Sequence, residues 1–478
     1  MTRSGCNPTG DPAIGRLRRC RDSWPGQLRS GVVPDPDEPR RSAKPQRFQA
    51  PIGTRDLLSP ESERRRALVD RFAEHAALAG YRHLVTPMFE DLGVFTRLGA
   101  ATDVVTKEMY DFTDKGGRRM ALRPELTASV CRAFTEHNPA VLPWKVWYSG
   151  PQFRHEKPQK GRYRQFDQVG VEALGSEDPD LDTESIALAW RFFDDLGLRR
   201  VRLLVNSLGE ATERARYVEA LADYLARHTD ALSDAAVATL ARNPLRVLDS
   251  KRPEDGYVIA GAPQLSDFLG VASVTHFERV LAGLDSLGID AEVSPKLVRG
   301  LDYYRRTTFE FTAESLDASQ NAVGGGGRYD GLVEALGGKP TAGVGFALGV
   351  DRTLLACDAE GVFGPVERTV ECFVVDTTGG LTGYEITEAL RRAGVATDRS
   401  WAGELTDEGL GRPRSMKAQM KAADRSGANL AVLMGPDELE VGAATIRRLR
   451  AGPDQAPSAQ RRVPLSRVVS EVQTELGR

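Results

Sequence analysis

The stretch richest in chemistry runs Phe153-Arg154-His155-Glu156-Lys157-Pro158-Gln159-Lys160-Gly161-Arg162-Tyr163-Arg164-Gln165-Phe166. Five Lys and Arg side chains fall within eleven positions, and an aromatic follows. Guanidinium forks grip phosphate oxygens in pairs, and an aromatic face stacks on a purine. The composition therefore suits a polyphosphate carrying a flat base. A solvated charged hairpin would have the same composition.

Four other blocks could bear chemistry. Ala342-Gly343-Val344-Gly345-Phe346-Ala347-Leu348-Gly349-Val350-Asp351-Arg352 spaces its glycines for close backbone packing and ends in one presented guanidinium. It lacks Gly-Lys-Ser/Thr, so it is no Walker phosphate loop. Tight packing of a helix on a sheet explains it equally well. Leu297-Val298-Arg299-Gly300-Leu301-Asp302-Tyr303-Tyr304 precedes Thr307–Phe311, with strand on both sides; its tyrosines could simply line a sheet face. Gly324–Gly327, followed by Arg328-Tyr329-Asp330-Gly331, allows close backbone approach or makes a loop. Arg123-Pro124-Glu125-Leu126-Thr127 reads as a turn into a helix that carries a carboxylate.

The elements that must position these blocks are legible in outline. Ser59-Pro60-Glu61 has the form of a helix start: hydroxyl cap, proline at the first position, acid against the positive dipole end. Ala67, Leu68, Phe72 and Ala76 then recur at helical spacing, and Gly80 ends the run. Tyr81 to Pro87 reads as a short strand stopped by proline. Trp144–Gln152 and Phe166–Leu174 read as two strands of an antiparallel hairpin around the charged loop. Residues 208–275 are Ala- and Leu-rich and predict a helical insertion. Beyond Gly364-Pro365, strands at Glu371–Val375 and Asn429–Met434 alternate with helical runs at Tyr384–Ala393 and Ser415–Ser426. That alternation predicts a small α/β domain with a mainly parallel sheet.

Composition sets outer limits. The chain has 478 residues, 41% hydrophobic and 27% charged, ordinary globular values that allow two to four domains. No apolar run is long enough to span a membrane, and the Arg-rich start has no apolar signal core. Five scattered cysteines without a C-x-x-C pair argue against a disulfide framework or a thiolate zinc site, and a reducing cytoplasm fits them. A net charge of -3 gives no global footprint for nucleic acid, so any RNA contact must be local. Residues 1–47 hold seven Pro, five Gly and ten basic against five acidic residues, and read as a disordered extension. A basic arm that touches RNA would look the same.

No block decides alone, but their order along one chain resembles the class II aminoacyl-tRNA synthetases. Pro87 after a long helix looks like motif 1, Phe153–Glu156 like motif 2, and Gly343–Arg352 like motif 3. LVRGLDYY (297–304) and GGGGRYDGL (324–332) resemble the signature segments of the histidyl-tRNA synthetase family. The likeness runs from about Ile52 to the C-terminus. It implies an α+β fold: a class II antiparallel sheet with flanking helices over 48–366, the helical insertion at 208–275, and a C-terminal α/β anticodon-binding domain over 367–478.

It also implies roles. Arg154 and Arg299 would be catalytic, holding the α-phosphate, and both would also belong to the histidine pocket, where Arg299 would approach the substrate carboxylate. Glu156 would meet the adenine amino group, Phe166 would stack on the ring, and Arg162 and Arg352 would hold the outer phosphates of ATP. Glu125, Leu126, Thr127 and Gln168 would surround histidine's amino end, and Glu172, Tyr303 and Tyr304 its imidazole. Magnesium would accompany ATP, with no protein metal ligands assigned. Arg414, Lys417, Lys421 and Arg425 share one helix face that could meet phosphates of tRNA(His), or simply be solvated. The resemblance further implies a cytoplasmic homodimer. The rival within the same fold is a catalytically silent regulatory subunit of histidine biosynthesis. Such proteins lose the C-terminal domain and parts of the signature segments, and this chain keeps both.

Overall fold

The computed structural model describes residues 47–97, 107–250, 252–297, 303–317, 321–365, 370–402, 404–405, 407, 411–450 and 460–478. The extension up to residue 46, Arg299 and the stretch 451–459 lie outside the described residues.

Helix α1 (Glu61–Leu78) leads into β1 (Arg82–His83). Next come β2 (Phe89–Asp91), α2 (Leu92–Thr96), β3 (Asp111–Thr113) and β4 (Arg119–Leu122), whose strands pair as a small antiparallel sheet. Helix α3 (Thr127–His137), β5 (Trp144–Phe153), β6 (Gln165–Leu174), α4 (Pro179–Asp195) and β7 (Val201–Ser207) follow. Helices α5 (Ala211–Ala226), α6 (Asp234–Leu240), α7 (Gly256–Ala260) and α8 (Val271–Ser286) fill the stretch read as a helical insertion and run a little past it. The last part of this region holds β8 (Ala291–Val293), β9 (Arg305–Ala313), β10 (Ala322–Arg328), α9 (Leu332–Ala335), β11 (Gly343–Gly349) and α10 (Val350–Glu360).

The main sheet has the order β1-β5-β6-β11-β10-β9-β7-β8. Its six inner strands are antiparallel, while β1 and β8 join the edges in parallel. The expected hairpin forms, with pairs running from Trp144↔Leu174 to Phe153↔Gln165. Strand alternation sorts its two faces. Val169, Val171, Val344, Phe346, Leu348, Phe309 and Phe311 point to the helix side, where they pack with Leu68 and Phe72 of α1 and Phe192 and Phe193 of α4. Gln168, Gly170, Glu172, Gly345, Ala347 and Glu310 sit at the alternate positions, so the opposite face carries small and polar groups.

Two glycines are required there. A Cβ on Gly345 would fall 1.8 Å from Glu172 Oε2, and one on Gly170 would fall 2.4 Å from Phe346 O. The glycine spacing that allowed either helix packing or a site therefore makes room for a carboxylate on the neighbouring strand.

Helix α1 differs from the expectation at its start. Pro60, not Ser59, takes the cap position, and no side chain caps the helix. The backbone supplies the partner instead: Ser62 N–H donates to Leu58 O at 3.0 Å. Arg65, not Ala67, joins Leu68, Phe72 and Ala76 on the buried stripe. Its guanidinium is taken up by Asp351 and Asp167, each at 2.7 Å.

Arg328 of the glycine-rich segment is also fully buried. It binds the buried Asp182 of α4 in a fork, and donates to Ser176 O at 2.9 Å and Asp178 O at 3.1 Å. His276 of α8 approaches the same carboxylate at 3.4 Å. Burial pushes the Asp182 carboxyl up, but His276 and Arg328 outweigh it and hold it below the usual range. The ion pair thus pins β10 and α8 to α4.

The C-terminal part holds β12 (Cys372–Asp376), α11 (Thr382–Arg392), β13 (Thr397–Arg399), β14 (Glu404–Leu405), β15 (Gly411–Arg412), α12 (Met416–Arg425), β16 (Leu430–Met434), α13 (Pro436–Glu440), β17 (Ala443–Arg448), β18 (Gln460–Pro464) and α14 (Val468–Glu475). Its sheet runs β13-β12-β16-β17-β18. The first three strands are parallel, but β17 and β18 are antiparallel, so the sheet is mixed rather than mainly parallel. The reason is chain length: only residues 435–442 join β16 to β17, and a parallel crossover needs about a dozen or more.

Asp182→Ala would leave Arg328 buried without its carboxylate. The expected loss is about 3–5 kcal/mol of stability, read as a lower urea midpoint. A midpoint like that of the parent protein would contradict this account of the ion pair.

Candidate active site

The small-residue face of the main sheet floors a cleft of about 390 Å³. Glu125, Leu126, Thr127, Arg154, Glu156, Arg162, Phe166, Gln168, Tyr303, Tyr304 and Arg352 all line it, although they come from six separate stretches of chain. Glu172 does not line it, and Arg299 lies outside the described residues.

The cationic end is built from the 154–164 loop and the first turn of α10. Arg154 stands over the Phe166 ring at 5.4 Å, and its Nε donates to Pro124 O at 2.9 Å. Arg162 pairs with Glu156. Arg352 donates to Ala322 O at 2.9 Å and Gly161 O at 3.3 Å. Burial, then the neighbouring Arg162 and Arg154, lower the Arg352 pKa. Like charges crowded in a half-buried cleft are relieved by an anion.

The other end is built around carboxylates. The turn into α3 forms as expected: Leu126 holds the cap position, and Glu125 accepts from Ala128 N–H at 3.0 Å. A carboxylate is favoured at a helix N-terminus, yet burial still raises the Glu125 pKa. Glu172 lies just behind the cleft wall, 1% exposed, and three hydroxyls converge on it. Thr127 donates at 2.7 Å, Tyr148 at 3.1 Å, and Tyr329 donates to the second oxygen. Thr127 and Tyr148 also line the cleft, so Glu172 meets it through them. Burial raises the Glu172 pKa to about 8, against the pull of the three hydroxyls. Tyr148, Tyr303 and Tyr329 are pushed well above the usual phenol range, chiefly by burial, and so keep their protons as donors.

A family model described as histidyl-tRNA synthetase matches residues 53–353, and one described as anticodon binding domain matches residues 382–475. The histidine–tRNA ligase of Rhodococcus erythropolis is 46% identical over 435 residues, covering 90% of this chain and 98% of that protein. That of Streptomyces coelicolor is 45% identical over 437 residues, with 90% and 98% covered. The chain belongs to the histidyl-tRNA synthetase family. The solved structure of apo S. aureus histidyl-tRNA synthetase is similar with a TM-score of 0.72 at 33% identity, covering 89% of this chain and all of that one.

Within this histidyl-tRNA synthetase family member, several cleft residues escaped sequence reasoning. Tyr148, Tyr163, Asp167, Glu310 and Asp351 line the cleft as well. Glu310 had a usable signal, as the lone carboxylate in the strand-like run Thr307–Phe311. Tyr148 had none, because a tyrosine on an apolar strand looks like core. Tyr329 sat in a quoted segment, but only the fold brings its hydroxyl to Glu172. In the C-terminal part, Arg414, Lys417, Lys421 and Arg425 are all exposed, while Gln419 and Ala423 of α12 are buried. Ser415 caps that helix.

A carboxyl with a raised pKa keeps its proton in the folded protein after the unfolded chain has lost it. Stability from this group is therefore full below the ordinary carboxylate range and falls as pH rises towards about 8. Glu172→Gln removes that proton. The urea midpoint of the variant should gain on the parent between about pH 5 and about pH 8.5. A difference that does not change with pH would contradict the buried, proton-holding carboxyl.

Proposed function

We propose that the chain ligates L-histidine to tRNA(His) through a histidyl-adenylate, releasing diphosphate and then AMP. The observation that carries this reading is the meeting, in one cleft, of a guanidinium cluster, an aromatic face, and the Thr127 and Tyr148 hydroxyls that bind Glu172 behind the wall. The attacking group in the first step is histidine's own carboxylate, already ionised at neutral pH, so no general base is required. The protein's work is alignment and charge stabilisation.

Arg154, with Arg299 by resemblance, takes the α-phosphate. Phe166 stacks the adenine, and Glu156 accepts from its amino group. Arg162 and Arg352 hold the outer phosphates, so binding parts the Glu156–Arg162 pair. Glu125, Leu126, Thr127 and Gln168 hold the amino end of histidine. Neutral imidazole offers one donor and one acceptor nitrogen. Glu172, acting through Tyr148, together with Tyr303 and Tyr304 provides polar groups to match both. A ligand without them strands buried polar groups, which can discriminate by about 10⁴–10⁵.

Magnesium binds through phosphate oxygens and one or two carboxylates. Glu310 on the cleft wall fits that need, and the ion would neutralise the leaving diphosphate. Among the described residues no group of three or more His, Cys, Asp or Glu side chains is placed to hold a metal ion.

The exposed basic face of α12 meets tRNA phosphates. Exposed Leu78, Val85, Met88, Phe89 and Phe112 suit the cover of a second copy, and sedimentation of the active protein as a monomer would contradict that. No described helix is long and apolar enough to cross a membrane. We place the protein in the cytoplasm with its tRNA.

Pyrophosphate exchange into ATP, with each amino acid supplied separately, tests the reading. Exchange should depend on histidine alone. A different amino acid would keep the fold and overturn the pocket, and no exchange from folded protein would favour the silent regulatory subunit. Lys417→Glu with Lys421→Glu should raise the KM for tRNA, leave exchange unchanged, and reduce the salt slope by about 1 per lysine. An unchanged tRNA KM would remove the α12 face from the interface.

A further inference from the structure

The phosphate end of the cleft is made from two separate pieces of chain. Arg154 and Arg162 ride on the 154–164 loop, and Arg352 rides on the first turn of α10. One side chain from outside the cleft touches both pieces. Arg55 donates to Asp351 Oδ1 at 3.1 Å and stacks its guanidinium over the Tyr163 ring at 4.7 Å. It is itself fixed by a two-pronged bond to Glu61 at the start of α1, at 2.8 and 2.5 Å. Arg55 does not line the cleft. It borders a second cavity of about 290 Å³, which shares Gly161, Tyr163 and Asp351 with the cleft.

The chain before Arg55 reaches the same loop. Arg164 N–H donates to Gly53 O at 2.8 Å, and Arg154 N–H donates to Arg164 O at 2.9 Å. Gly53 has φ +84, and a Cβ there would fall 2.7 Å from Arg164 Cγ. A backbone relay therefore runs from Gly53 through Arg164 to Arg154.

Charge gives the contact a second use. Asp351 sits on the cleft wall beside Arg352, where a bare carboxylate would repel phosphate. Arg55 and Arg65 both bind Asp351 and cancel that charge.

We propose that Arg55 is a positioning residue for the ATP phosphates. It braces the 154–164 loop against α10 and neutralises Asp351. This rests on the reading that ATP occupies the cleft.

The test compares Arg55→Ala, Arg55→Lys, Tyr163→Leu and the Arg55→Ala/Tyr163→Leu pair with the parent. The readouts are the separate KM values for ATP and histidine in pyrophosphate exchange, and ATP affinity by calorimetry. Arg55→Ala should raise the KM for ATP by about tenfold or more and leave that for histidine within about twofold. Arg55→Lys keeps the charge without the fork or the stacking plane, so it should recover part of the loss. The double variant should be little worse than the poorer single one, because the two residues share one contact. Equal rises in both KM values, no rise in either, or fully additive effects would overturn the proposal. If Arg55→Ala does not fold, Tyr163→Leu carries the test by the same selective rise or its absence. Lack of histidine-dependent exchange in the parent would defeat the functional reading instead, and calorimetric ATP affinity of the variants would still decide the brace.

Discussion

A carboxylate cut off from water must find donors inside the protein or hold its proton. Glu172 does some of each. Its place on β6 puts it against Gly345 of β11, where any side chain would collide with it. Thr127 reaches it from the start of α3, Tyr148 from β5, and Tyr329 from the end of β10. One buried group thus ties four elements together behind the cleft wall. The orientations of Thr127 and Tyr148, which face the cleft, follow from it.

The same economy of face explains the cationic end. Alternation along β9, β10, β11 and β6 sends the large apolar residues to the helices, so the open face is left to glycines and polar groups. Flat backbone without side chains is what a ligand lying on a sheet needs. Around that floor the arginines are crowded enough to lower the pKa of Arg352, a cost an anion would relieve. Two ion-pair sets hold the sheet to its helices: Arg65 of α1 binds Asp167 and Asp351 at the cleft wall, and Arg328 of β10 binds Asp182 of α4 on the far side.

Much of this was legible in the residues. The 154–164 loop between two strands follows from charge pattern and alternation, and the α3 turn follows from Arg123–Thr127. What the sequence could not distinguish was an arginine that binds a ligand from one that binds a buried carboxylate. Arg328 and Arg154 both follow or adjoin aromatic and glycine-rich segments, yet only Arg154 faces the cleft. Glu172 illustrates the same limit. Its position opposite Val171 and Ala173 could be read from the period of two, but its three hydroxyl partners lie at a helix start, on a strand and just past a strand end, up to 157 residues away. The missed cap at Ser59 and the mixed C-terminal sheet have local causes: a backbone carbonyl that took the hydroxyl's place, and a connection too short for a crossover.

Under the proposed function, Glu172 governs the histidine end through the hydroxyls it gathers. Tyr329 offers the sharpest way in, because it binds Glu172 without lining the cleft. The measurement is equilibrium binding of histidine and of ATP, by calorimetry, to Tyr329→Phe. Weaker histidine binding with ATP affinity unchanged is the expected result. Unaltered histidine affinity, or equal losses for both ligands, would contradict it.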